Sequence, residues 1–132
     1  MKMINNYISE KLRLGSAKTY NYCCPKTKKE LCKIIGERLV KDKNADLNDI
    51  DVSKITDMSY LFAHLPFNGD ISEWNVENVT DMNHMFMNSN FAGDISDWKV
   101  NDECYLYDMF KDCPLEQCPP KWYLDWKHKD LG

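Results

Sequence analysis

The sequence predicts an α/β repeat fold: a short solenoid of parallel strands and short helices with a cap at each end. Three observations lead there. Residues 47–70, 71–94 and 95–118 align at a constant offset of 24 without a gap. Eight apolar columns recur in that frame, among them Phe62, Phe86 and Phe110. Helix-start and helix-like patterns flank the repeats on both sides. A fixed period of this length marks units that bury an apolar face only against their neighbours. The 132 residues suit a single domain, 1–132. It divides into a basic segment with a capping helix (1–45), three repeats of which the last is degraded (46–118), and a C-terminal cap (119–132).

Each element follows from its residues. Thr27-Lys28-Lys29-Glu30 is a capping box, and Leu31, Ile34, Ile35 and Leu39 then form one apolar stripe ending near Asp42. This predicts the N-terminal capping helix. Upstream, Met3, Ile4, Tyr7, Ile8, Leu12 and Leu14 form a weak helical pattern. Within a unit, Ile71-x-x-Trp74-x-Val76 has the spacing of a leucine-rich-repeat strand, with those three residues inward. Thr80 then reads as an N-cap, and Met82, Met85 and Phe86 as one buried face of a short helix. Gly93 permits the tight turn to the next unit. In the third unit Glu103, Cys104 and Tyr105 replace the Ile/Val, Thr and Asp of their columns. After Pro119 and Pro120, a short helix places Trp122 and Trp126 on one side, over the last repeat.

Charge is unevenly placed. Residues 1–45 hold 11 Lys/Arg and 4 Asp/Glu, residues 46–100 hold 2 and 10, and residues 101–132 hold 4 and 7. The two parts attract each other, stay solvated, or present an acidic surface to a basic partner. A hydrophobic fraction of 43% excludes a largely disordered chain. No apolar run approaches the ~18 residues of a membrane span. Residues 1–15 lack the apolar core of a secretory signal, so a cytoplasmic location is expected.

Candidate chemistry is sparse. Six cysteines (Cys23, Cys24, Cys32, Cys104, Cys113, Cys118) leave reduced, disulfide-bonded and zinc-bound states open, with Cys113, Cys118 and His128 the one cluster to check for metal. His64, His84 and His128 sit beside no nucleophile motif and read as helix-surface residues. The Asp70/Asp94 and Asp57/Asp81 columns are explained by turns and helix capping without calcium. No cofactor, metal or catalytic residue is expected, and the protein is read as a non-enzyme.

The outward strand positions remain. They are Asp49, Asp51 and Ser53, then Glu73, Asn75 and Glu77, then Asp97, Lys99 and Asn101. Five of the nine are acidic. Repeat stacks bind through such extended faces. Asp49, Asp51, Glu73, Asn75, Glu77, Asp97 and Lys99 are therefore the expected partner-binding residues.

The stretch from Asn68-Gly69-Asp70-Ile71-Ser72-Glu73-Trp74 through Val79-Thr80-Asp81-Met82 resembles the repeat of the BspA-like leucine-rich-repeat surface proteins, F-N-x-D-I-S-x-W-x-V-x-N-V-T-D-M-x-x-M-F. Residues 91–98 and 51–62 are further copies, and residues 25–40 resemble the segment that precedes such repeats. The resemblance implies adhesion and protein–protein binding, with cell-surface display as the alternative location. Two functions follow as expectations. One is a small non-enzymatic module that engages a protein partner through its acidic face. The other is a phage or mobile-element inhibitor that blocks a nucleic-acid-binding enzyme with that face. The expected partner is thus a protein, basic or nucleic-acid-binding, with no direct nucleic-acid contact and no membrane span.

Overall fold

A computed structural model describes residues 23–131. The weak helical pattern at 3–14 lies outside them. Two α-helices, α1 (Lys28–Lys41) and α2 (Lys121–Leu131), and a 3-10 turn at Pro114–Glu116 are the regular elements. The expected α/β solenoid of parallel strands and short helices is not what forms. Among the described residues there is no strand, and parallel pairing is confined to isolated bridges: Cys23 with Ile50, Asp46 with Asp70, Asp57 with Asp81, and Asp81 with Tyr105.

Turns take the place of the strands. The two residues between Ile71 and Trp74 are closed into a turn by the Trp74 N–H donating to the Ile71 carbonyl, at 3.2 Å. Ile50 to Leu47 and Trp98 to Ile95 repeat this bond. Val79 to Val76 and Ile55 to Val52 close the next turn of the unit. Asp70 reinforces its turn by accepting from both the N–H and the hydroxyl of Ser72, at 2.9 and 2.7 Å, and Asp94 does the same for Ser96. Inward residues spaced by three are therefore corners of a coil of β-turns, where a strand would need a spacing of two.

The short helix expected around Met82 to Phe86 is also absent. Tyr60, His84 and Asp108 share a left-handed φ of 50 to 58°, and His64, Asn88 and Asp112 one of 55 to 63°. Each is 24 residues from its equivalent, so the deviation is built into the unit. A right-handed helix cannot pass through such residues. Alternate amides also leave the coil. The N–H groups of Met58, Tyr60, Phe62 and His64 donate to the carbonyls of Asp81, Asn83, Met85 and Met87 in the next coil. Those of Met82, His84, Phe86 and Asn88 donate likewise to Tyr105, Tyr107, Met109 and Lys111. An amide spent between coils is unavailable to an α-helix.

The apolar columns nevertheless meet in one interior. Phe62, Phe86 and Phe110 stack with ring centroids 5.5 and 5.8 Å apart and planes within 5°. Phe67 and Phe91 form a second column at 5.8 Å, each 4.4 Å from its neighbour in the first. The Trp column is tied by its indoles: Trp74 donates to the Leu47 carbonyl and Trp98 to that of Ile71. Trp122, at the start of α2, donates to Ile95 in the same way and stacks on Trp98 at 6.2 Å. The period of 24 thus runs one step into the C-terminal helix. In the degraded unit the register slips by one. Cys104, not Glu103, is buried where Val79 lies, and its N–H closes the turn onto Asn101.

α1 begins with the N-cap bond of its capping box, while the reciprocal bond of Glu30 falls one residue earlier, on Lys26. The Thr27 hydroxyl accepts the Glu30 N–H at 3.2 Å, and the Glu30 carboxylate accepts the Lys26 N–H at 2.8 Å. Leu31 and Ile35 are buried, while Arg38 and Lys41 in the last turn suit the helix dipole. Neither Gly69 nor Gly93 is in the left-handed region. Gly93 is required for close approach to the Phe91 ring, where a Cβ would meet Cε1 at 2.7 Å, rather than for an unusual turn conformation.

Candidate functional site

The outward positions of the first coil are taken up within the molecule. Asp49 is half-buried and receives both guanidinium nitrogens of Arg38, at 2.9 and 2.6 Å. This hydrogen-bonded pairing raises the Arg38 pKa against the opposing effect of burial. The segment at Cys23 adds itself alongside, its N–H donating to the Asp49 carbonyl and its carbonyl accepting from Asp51. The Asp51 carboxylate accepts the Ser53 N–H at 3.0 Å and the Cys24 thiol at 3.8 Å. Asp49 and Asp51 therefore join the basic N-terminal segment to the stack and do not belong to the open face. Part of the charge asymmetry is the two parts of the chain attracting each other.

Glu73, Asn75, Glu77, Asp97 and Lys99 are all exposed and line one groove of about 310 Å3, together with Ser72, Trp74, Val76 and Trp98. Turn chemistry sets their positions. The Asn75 side chain accepts the Glu77 N–H, and Asn48 of the preceding coil accepts the Glu73 N–H. Three carboxylates and one ammonium thus share the groove.

A second cleft of about 600 Å3 adjoins it through Ser72, Glu73 and Asp97. Asp70, Asp94, Asn44 and Asn68 also line it. Sequence reasoning treated Asp70 and Asp94 as turn formers only. They do form turns, yet that leaves their carboxylates on the cleft wall. The signal was the recurring Asp-x-Ser: the hydroxyl and N–H of Ser96 hold the Asp94 carboxyl below the usual carboxylate range, which favours its charged form.

Asp57 is depressed as well. Burial pushes it up, but the Ser59 N–H and hydroxyl and the Lys28 ammonium outweigh that effect. A carboxyl whose folded pKa lies below its unfolded value of 3.8 stabilises the fold above that value and ceases to do so as pH falls through the folded pKa. Unfolding free energy measured by urea titration is expected to be level from pH 7 to 5 and to fall below about pH 4. Asp57→Asn should flatten that fall.

The remaining candidates are placed as follows. None of the six cysteines is disulfide-bonded. Burial, aided by Asp81, pushes the Cys104 thiol up to about 12. Burial raises Cys113 too, and its thiol donates to the Phe91 carbonyl at 3.2 Å. Among the described residues no group of His, Cys, Asp and Glu is arranged to hold a metal ion, and Cys118 and His128 are exposed. The histidines His64 and His84 are not on helices. His84 stacks on Tyr60 at 4.7 Å with Nε2 3.7 Å from Asp108, and His64 pairs with Asn88 at 3.1 Å. No helix among the described residues is long and apolar enough to cross a membrane.

Residues 35–125, more than half of the chain, match the family model described as "Mycoplasma protein of unknown function, DUF285". The chain belongs to the DUF285 family. The matched segment of this DUF285 protein starts inside α1 and ends inside α2, so the family unit comprises all three coils and parts of both flanking helices. No curated protein and no solved structure matches it.

Proposed function

We propose that this DUF285 protein is a non-enzymatic binding module of the BspA-like kind that engages a basic protein partner through the groove of its second and third coils. The observation that supports this most is the convergence of Glu73, Asn75, Glu77, Asp97 and Lys99 on one groove, with Glu73 and Asp97 continuing into the cleft walled by Asp70 and Asp94. Carboxylates on a rigid stack steer a cationic surface and fix its orientation, and Lys99 disfavours partners that lack an acidic group opposite it.

Glu73→Lys/Glu77→Lys/Asp97→Lys tests the proposal. Asp49 is left intact, because reversing it would break the Arg38 pair that holds α1 to the first coil. Immobilised protein is exposed to lysate at low and high salt. Partner capture is expected to weaken with salt and to fall at least tenfold in the triple variant, with its unfolding midpoint within a few degrees of the parent. Unchanged capture by the folded variant would reject the groove. A nuclease or polymerase among the lost partners would favour the inhibitor reading, in which carboxylates recurring once per coil stand in for phosphates.

A further inference from the structure

The last coil ends in unused hydrogen-bond donors. In the first two coils, four alternate amides of the second half each donate to a carbonyl 23 residues on, at 2.8 to 3.0 Å. Their equivalents in the third coil are the N–H groups of Leu106, Asp108, Phe110 and Asp112. Asp112 is satisfied by the Glu116 carboxylate at 3.2 Å. The N–H groups of Leu106, Asp108 and Phe110 have no acceptor among the described residues. A fourth coil would supply their carbonyls, but from Lys121 the chain runs as α2 instead. Carbonyls within α2 are spent on the helix itself.

A cleft of about 520 Å3 opens at this edge, within the size range of ligand sites. Asp108, Phe110 and Lys111 line it from the coil, and Tyr123, Trp126 and Lys127 from α2. Tyr107 also lines it, 46% exposed and edge-on to Trp126 at 5.1 Å. Tyr105, 57% exposed, extends the aromatic surface at 6.4 Å from Tyr107.

We propose that this edge docks an extended peptide segment of a partner protein, backbone first. The occupant has carbonyls at alternate residues, in register with the N–H groups of Leu106, Asp108 and Phe110, and an apolar side chain against Tyr107 and Trp126. The register argument is internal: the same amide positions are paired in this way twice within the chain. Adding a backbone to an open edge is an established mode of peptide recognition, in which main-chain bonds provide affinity and side-chain pockets provide choice.

The probe is an acetylated, amidated peptide copying residues 79–90, whose carbonyls 81, 83, 85 and 87 pair with the first coil in the intact fold. Amide hydrogen exchange of the full chain is followed by NMR. In the free protein, the Leu106, Asp108 and Phe110 amides should exchange at least tenfold faster than those of Met82, His84 and Phe86. Saturating peptide should slow them at least tenfold, and a scrambled peptide should not. Tyr107→Ala should weaken peptide binding about tenfold while the Met82, His84 and Phe86 amides keep their protection, which reports an intact fold. Peptide binding without slowing of the three amides, or no binding at millimolar peptide, would overturn the proposal. Slowing with protein concentration in the absence of peptide would assign the edge to a second copy and overturn it equally.

Discussion

Phe86→Ala is expected to lose about 3–5 kcal/mol of unfolding free energy. Phe86 is fully buried and is the middle ring of its column. It faces Phe62 at 5.5 Å, Phe110 at 5.8 Å and Phe91 at 4.4 Å. Removing it takes away three ring contacts and leaves a void between coils. The coils are tied to each other by backbone bonds at Phe62 and Phe86, so they cannot close over that void. Since domain stabilities are about 5–15 kcal/mol, the variant should be partly unfolded at modest denaturant. Urea titration monitored by Trp fluorescence measures the loss. Phe86→Leu should cost less than half as much, because most of the volume is kept. A loss below about 1 kcal/mol for the alanine variant would mean that the column is not the core of the stack.

Gly69→Ala is the second. A Cβ at Gly69 would fall within the Ala45 carbonyl oxygen and 2.7 Å from Cε1 of Phe67. The oxygen is backbone, and the adjacent Asn68 N–H is bonded to the Lys43 carbonyl at 3.1 Å, so neither strand of chain can retreat easily. An expected cost of about 3 kcal/mol follows from overpacking at a rigid contact. At Gly93 the nearest atoms belong to the Phe91 ring, and the backbone oxygen of Gly69 is 3.5 Å away. The Phe91 ring is buried and stacked on Phe67 and Phe86, so it can yield only by a small shift, and Gly93→Ala should cost about 2 kcal/mol, less than Gly69→Ala because no backbone atom blocks the Cβ. The order of the two midpoints in thermal unfolding is the decisive reading. Equal costs would show that crowding by the ring, not by backbone, dominates at both sites.

Both expectations bear on how far this molecule was legible in its residues. The columns Phe62/Phe86/Phe110 and Leu47/Ile71/Ile95 correctly named what is inside, because the period of 24 demands that equivalent residues share an environment. Backbone conformation was misread at the same positions. Residues at i, i+3 and i+4 mark a helix face, but they equally mark corners of successive β-turns, and Met82, Met85 and Phe86 are the latter. The left-handed conformations carried a signal in the columns His64/Asn88/Asp112 and His84/Asp108, because His, Asn and Asp are the non-glycine residues enriched there; Tyr60 alone gave none. Of the sequence-named positions, Glu73, Asn75, Glu77, Asp97 and Lys99 line one groove, and turns rather than strand alternation place them there. Asp49 was not separable from them until Arg38 of α1 was seen to hold it.

Taken alone, the order of residues determined the repeat, the buried set and the capping box of α1, because periodicity and local hydrogen bonding are properties of near neighbours along the chain. Tertiary structure decided the rest. Whether a coil is strand, helix or turn depends on where its alternate amides find carbonyls, and here those carbonyls lie 23 residues away in the next coil. The role of Asp49 was settled in the same way, by Arg38 of the basic first segment folding back to meet it.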